Sequence, residues 1–487
     1  MKRRSFIKSL GLMGSSILVP SMMNGQGVIS SAAASNLSSR NLIGARQMIG
    51  DEIDFVKPSV LPKVINIFLY GGPSELGGNL TNIDEINASS KNKYPASFLP
   101  GGTQHTANGF WLDAGGREME RMLGKKRLSI YRSIHRDKDN SRAHRPSIFS
   151  NLTGMIGEDN SRPGIATNIA AILAAKEVIN EDAIFPFATF EGESVVFNQG
   201  SGLSLSYKPI SLNSNLENPY QRRPSAIGDM DAVLEVLAQS SASTDAARYQ
   251  KVTSGFSKRG EIDGFIGDLS EKISAPTITY RNPDFVDGSD VASETNEFIT
   301  YPGGNFGPKL KAAVELMIYN PDTLFVSLGS GGLGGWDDHN AALSDNNYPS
   351  RMRNLMQSLE VAGQHLEAAG MGNVVINVFG DFGRNANLND SGGWDHGNCQ
   401  NLYTVGAGPS AAGLPGRELG KIVGETEVSG NANQNRLYTQ PTSNSYTTAP
   451  FAIAASVYQY FGIQNPEVLT GGYEAIDETG SENLFIG

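Results

Sequence analysis

Cysteine is almost absent: Cys399 is the only one in 487 residues, so no intrachain disulfide braces the fold. Long apolar runs are lacking too. The weakly apolar stretch Leu10–Val19 is broken by Gly11 and Gly14 and stops at Pro20. That is far short of the ~20 residues that span a bilayer, so no stable transmembrane anchor is expected. Basic charge is in deficit, with 39 Lys and Arg against 50 Asp and Glu and a formal net charge of −11. An acidic body repels a phosphate backbone, which excludes nucleic acid as a partner class. Internal repeats are missing, and with them the solenoid and propeller folds. Histidine is scarce at six residues, so every imidazole next to a carboxylate carries weight.

What is present begins at the N-terminus. Lys2-Arg3-Arg4-Ser5-Phe6-Ile7-Lys8 sets a twin arginine ahead of the short apolar stretch, and Ala32-Ala33-Ala34 offers a small-residue cleavage site. This is the pattern of a twin-arginine export leader over residues 1–34, and it predicts a periplasmic or extracellular protein. Export in the folded state agrees with a chain that has no disulfide to form outside. Residues 35–61, polar and small, read as an N-terminal arm ahead of one α/β domain over 62–487.

In that body Val64–Tyr70 is a continuous apolar run, the signature of a strand buried on both faces. Further strands are predicted at Leu128–Ile134, Phe185–Phe190, Thr323–Leu328, Val374–Phe379 and Leu402–Val405. Helices are predicted around Glu118–Gly124, Ile165–Glu177, Asp229–Ala238, Asp245–Leu269, Leu310–Tyr319, Arg351–Ala369 and Phe451–Phe461. Strands alternating with helices mean βαβ units, hence a mainly parallel central sheet with helices on both faces. The segment of about 242–301 is less regular and reads as an insertion or cap, and Asn431–Thr448 as solvent-exposed loop.

Three polar clusters follow predicted strands, where open α/β sheets bind ligands. They are Gly335-Trp336-Asp337-Asp338-His339, Asp381-Phe382-Gly383-Arg384 and Gly393-Trp394-Asp395-His396-Gly397. Carboxylates mixed with imidazoles are the ligand set of zinc and related divalent ions, with manganese or calcium as alternatives. Asp337 and Asp338 also suit turns or helix caps, and Arg384 also suits an ion pair with Asp381 or another carboxylate. His365, inside a predicted helix, and His105, in a loop, read as structural.

Taken in order, Tyr70–Ser74, Gly335–His339, Val374–Arg384 and Gly393–His396 resemble the domain of unknown function 1501 family. That family in turn resembles the alkaline phosphatase and sulfatase superfamily. The resemblance covers about Pro62–Gly408 and implies an alkaline-phosphatase-like fold. It aligns His144-Arg145-Pro146-Ser147, running to Leu152-Thr153-Gly154, with the segment carrying the superfamily's nucleophile, whose place His144 takes. Tyr70-Gly71 stands where a metal-binding aspartate is expected, and Phe382 where a histidine is expected. One metal site survives: Asp337, His339 and His396, with Asp381 nearby.

The resemblance thus implies a hydrolase of small anionic phosphate or sulfate esters using one divalent metal. Arg145 and Arg384 would clamp the anion, and His144 would act as acid, base or covalent acceptor. The competing expectation is a catalytically degenerate pocket that binds an anionic glycan or an exported partner, or an envelope-assembly component.

Overall fold

The computed structural model describes residues 53–136, 142–217, 230–242, 247–274, 280–287, 296–409, 413–414 and 417–478. The predicted export leader and most of the predicted N-terminal arm lie outside the described residues. Ten strands occur among them. They are β1 (Lys63–Leu69), β2 (Leu128–His135), β3 (Phe187–Thr189), β4 (Ile210–Ser211), β5 (Phe325–Gly329), β6 (Val374–Gly380), β7 (Cys399–Val405), β8 (Ile422–Val423), β9 (Thr426–Asn431) and β10 (Arg436–Pro441). Eight form one sheet in the order β4-β3-β5-β1-β6-β7-β2-β8. β1 lies between β5 and β6 and is parallel to both. The one reversed strand is β7, antiparallel to β6 and to β2. The sheet is therefore mixed but mostly parallel, as the βαβ pattern implies.

β1 explains the centre of the molecule. Its seven residues are all buried, and successive side chains enter opposite cores because strand side chains alternate. Ile65, Ile67 and Leu69 join one core, and Val64 and Phe68 the other.

The first core is covered by α1 (Ile83–Ser89), α2 (Gly116–Gly124), α7 (Phe306–Tyr319) and α8 (Tyr348–Ala368). The second is covered by α3 (His144–Thr153), α4 (Ile165–Ala175) and α9 (Phe451–Tyr460). The remaining helices are α5 (Met230–Ala242) and α6 (Ala247–Ser274). Ile262, Ile266 and Leu269 of α6 belong to the first core, so this part of the presumed insertion packs on the domain. Their spacing of four and three puts them on one helix face.

The polar stretch expected to be loop holds a hairpin instead. β9 and β10 pair in antiparallel register from Arg436↔Asn431 to Pro441↔Thr426. Buried Leu437 and Thr439 alternate with more exposed neighbours in β10, a period-2 pattern too polar to stand out in the sequence. The hairpin backs the chain after β6: the Ala386 N–H donates to the Leu437 carbonyl at 2.8 Å.

Candidate metal centre

The site lies beyond the carboxyl ends of β1, β5 and β6. After β1, Gly71 and Gly72 turn with φ of +112° and +73°, in the left-handed region that suits glycine. A Cβ on Gly71 would come within 2.6 Å of the Asp337 backbone nitrogen, and one on Gly72 within 2.7 Å of the Phe382 carbonyl oxygen. The glycine pair thus lets the three strand-end loops close on one another.

Arg384 ties those loops together. Its side chain is fully buried. Nε donates to the Gly72 carbonyl at 2.7 Å, and Nη1 to the Trp394 carbonyl at 3.2 Å. Nη2 donates to the Gly71 carbonyl, to the Trp336 carbonyl at 3.0 Å and to Asp337 Oδ1 at 2.6 Å. Those contacts engage all three guanidinium nitrogens, and Nη1 also lies 3.5 Å from His339 Nε2. The expected anion clamp is thus a strut of the protein itself. Arg145 does not reach the cluster either: its Nε pairs with Glu158 at 2.6 Å on an exposed side chain.

The other residues singled out in the sequence do meet. His339 Nε2 lies 3.0 Å from Asp337 Oδ1 and 3.1 Å from His396 Nε2. His396 Nε2 is 3.4 Å from the same carboxylate oxygen. His144, the first residue of α3, sets its Nε2 3.5 Å from Asp337 Oδ2. Asp381 is turned away from this centre and toward His144, whose Nδ1 lies 2.7 Å from Asp381 Oδ2. The same oxygen accepts the Gly71 N–H at 3.2 Å. Asp338, by contrast, is buried in an ion pair with Arg351 rather than capping a turn or helix.

The tautomers follow from the acceptors. Each Nδ1 faces an oxygen: Asp381 Oδ2 for His144, Asp395 Oδ1 at 3.3 Å for His339, and the Arg142 carbonyl at 2.7 Å for His396. Carboxylates and carbonyls only accept, which puts the proton on Nδ1 of His144 and of His396; His339 faces a carboxylate oxygen from both ring nitrogens, Asp395 Oδ1 from Nδ1 and Asp337 Oδ1 from Nε2. The three Nε2 atoms and the Asp337 carboxylate then face one another, with Arg384 Nη1 3.5 Å from His339 Nε2. The Asp337–His339–His396 edges of 3.0, 3.1 and 3.4 Å compare with ~3.4 Å between tetrahedral ligands at bond lengths of ~2.1 Å.

His144, Asp337 and His396 form an overlapping set, their donor atoms all within 4.8 Å of one another. An acceptor behind each ring is also how metal-ligating histidines are held. The donor set fits a divalent transition ion. Asp395 and the Arg142 carbonyl escaped sequence reading: the former sits inside a recognised motif, and a backbone acceptor leaves no sequence signal.

Electrostatics sort the groups. The Asp381 hydrogen bond raises the His144 imidazole above its ordinary value, against some burial. Burial pushes the Asp381 carboxyl up, offset in part by His144. Burial also opposes ionisation of Asp337, but the Arg384 guanidinium outweighs it and holds that carboxyl below the usual range. His396 is lowered, chiefly by burial. The side chains of Asp337 and His339 are 47% and 39% exposed, so the cluster opens to solvent on their side. His365 and His105 are structural, as read from the sequence. His365 Nδ1 meets the Tyr301 hydroxyl at 3.0 Å, and the two His105 nitrogens meet the Thr106 and Leu80 carbonyls.

Solved structures similar to this one include Ps i-CgsB in complex with k-i-k-neocarrahexaose, at a TM-score of 0.36 and 9% identity, covering 86% of this chain and 76% of that one. The alkaline phosphatase of the Antarctic bacterium TAB5 gives 0.31 and 9% over 85% of this chain and all of that one. The PsFucS1 sulfatase from Pseudoalteromonas sp. gives 0.33 and 10% over 95% and 79%. No curated protein matches the sequence. A family model does: it takes in residues 62–441, from the start of β1 to the end of β10 and so every residue of the cluster, and the chain belongs to that family, DUF1501, described as a protein of unknown function.

Proposed function

We propose that this protein is an exported, single-metal hydrolase of phosphate or sulfate esters, with Asp337, His339 and His396 holding the ion. The observation that carries the reading is the convergence of three imidazole Nε2 atoms on Asp337 while each Nδ1 is engaged from behind. Two imidazoles and one carboxylate, with a side open to solvent, are the ligand set of a catalytic zinc site. When bound, such an ion supplies Lewis acidity toward an ester oxygen and toward water.

The chain's own groups supply the rest. His144 Nε2 takes a proton from attacking water, and Asp381 orients the ring through Nδ1–H and steadies its protonated form. Asp337 is kept ionised by Arg384. Export rests on the twin-arginine leader, and no described helix is long and apolar enough to cross a membrane.

A binding role without catalysis is the second reading, favoured by one observation: neither Arg384 nor Arg145 is available to clamp an anionic ester. Elemental analysis of protein purified without chelator separates the two. About one equivalent of transition metal, lost in His339→Ala and His396→Ala, together with turnover of aryl phosphates or sulfates, supports the hydrolase. Metal-free protein, unchanged in EDTA and inert toward those esters with added zinc or manganese, leaves the binding role.

A further inference from the structure

One face of α3 holds a single residue by both its ends. His144 opens the helix and Asn151 follows seven positions later, on the same side two turns on. His144 Nδ1 meets the Asp381 carboxylate at 2.7 Å, while Asn151 Nδ2 donates to the Asp381 carbonyl and to the Gly380 carbonyl, both at 2.8 Å. Two further side chains close on the same segment. Arg136 Nη1 donates to the Asp381 carbonyl at 3.1 Å, and Gln400 Oε1 accepts the Gly380 N–H at 2.9 Å.

These contacts begin where the pairing of β6 with β7 stops, while its pairing with β1 runs on to Leu69↔Gly380. The last register pair between β6 and β7 is Val378↔Tyr403. Beyond it, buried backbone groups still need partners, and side chains from α3, β7 and the end of β2 provide them. Asn151 and Gln400 are both fully buried, so neither touches a ligand at the open side of the cluster. An amide nitrogen has two N–H donors, and here they serve successive carbonyls. That fixes α3 both along and around its axis relative to Asp381. A slip of one residue moves the helix ~1.5 Å, enough to break the His144–Asp381 contact.

We infer that Asn151, assisted by Gln400, is the positioning residue that sets His144 against Asp381. Its functional meaning rests on the proposed role of His144 in proton transfer; the experiment reads the pair itself. Asn151→Leu keeps the volume and removes both donors, and proton NMR of ¹⁵N-histidine-labelled protein follows the His144 Nδ1–H. In the wild type the 2.7 Å contact with Asp381 is expected to protect that proton. In Asn151→Leu its exchange is expected to be at least ~10-fold faster, with core amide protection and near-UV circular dichroism unchanged. An unaltered His144 Nδ1–H in folded Asn151→Leu overturns the inference. Should that variant not fold, Asn151→Ser and Gln400→Leu make the same measurement, and unchanged exchange in both overturns it equally. Failure of the metal reading shows separately, as protein without metal that still displays the protected proton.

Discussion

The Nε2 atoms of His339 and His396 stand 3.1 Å apart, each on a ring whose Nδ1 is already engaged by an oxygen. At that separation the two nitrogens are joined either by one shared N–H or by a cation that both coordinate. A transition ion should therefore stabilise the fold by mass action. At a hundredfold excess of free zinc over its dissociation constant the gain is about 2.7 kcal/mol. Thermal unfolding with and without zinc measures it, and His396→Ala should abolish the shift. An equal shift in that variant sends the metal elsewhere.

How much of this was legible in the sequence depends on what each residue leaves visible. β1, β5 and β6 stood out because strands buried on both faces are written as unbroken apolar runs. The three clusters stood out because carboxylates and imidazoles seldom follow such runs by accident. The reversed direction of β7 did not, since only Leu402–Val405 of it reads as a strand and a short strand pattern carries no sense of direction. The role of Arg384 was misread for a related reason. A sequence shows its charge, whereas what it binds is backbone carbonyls from three other segments.

Removing Arg384 should therefore cost stability before it costs affinity for anions. Arg384→Met would leave Asp337 without its guanidinium and four carbonyls without a donor. Asp337 is half exposed, so the loss comes chiefly from the carbonyls left without a donor, about 1–3 kcal/mol for each that stays buried and unsatisfied. Urea unfolding should show a loss of that order, and Arg384→Lys should recover little of it, because one ammonium cannot span the same acceptors. A loss below ~1 kcal/mol would mean an ordinary exposed pair.

Gly71 makes a sharper claim about the site alone. Its φ of +112° and the 2.6 Å approach of an added Cβ to the Asp337 backbone nitrogen leave no room for alanine. Gly71→Ala should push the Asp337 loop off β1 and open the gap between Asp337 and the histidines. We expect metal content to fall at least tenfold, about 1.4 kcal/mol of binding free energy. Full metal occupancy in the folded variant would separate the ligands from this turn.

Export is tested at the leader. Arg3→Lys with Arg4→Lys keeps the charge of residues 1–34 and removes the twin arginine that the translocase reads. Cell fractionation should find the variant retained inside. Equal export of the wild type in cells without the twin-arginine translocase would sink the assignment.

Two buried groups give the fold opposing responses to pH. Burial, with a smaller effect of Lys311, pushes the His365 imidazole down to about 4. Its contribution is fully present above the unfolded value of 6.5 and is lost as pH falls toward 4. Burial pushes the Glu75 carboxyl up to about 7, despite the Thr439 hydroxyl donated to it at 2.6 Å. A raised carboxyl works the other way. Its stability is complete below the unfolded value of 4.5 and is lost as pH rises through 7. At ~1.4 kcal/mol per unit each contributes about 3 kcal/mol, so between pH 4.5 and 6.5 their slopes nearly cancel. Glu75→Gln removes one arm. The variant should match the wild type near pH 4 and exceed it by ~2–3 kcal/mol above pH 7. The difference between the two urea-unfolding curves across that range isolates Glu75 from every other carboxylate. A difference that does not change with pH would mean that Glu75 stays ionised in the native core, held by a partner stronger than Thr439.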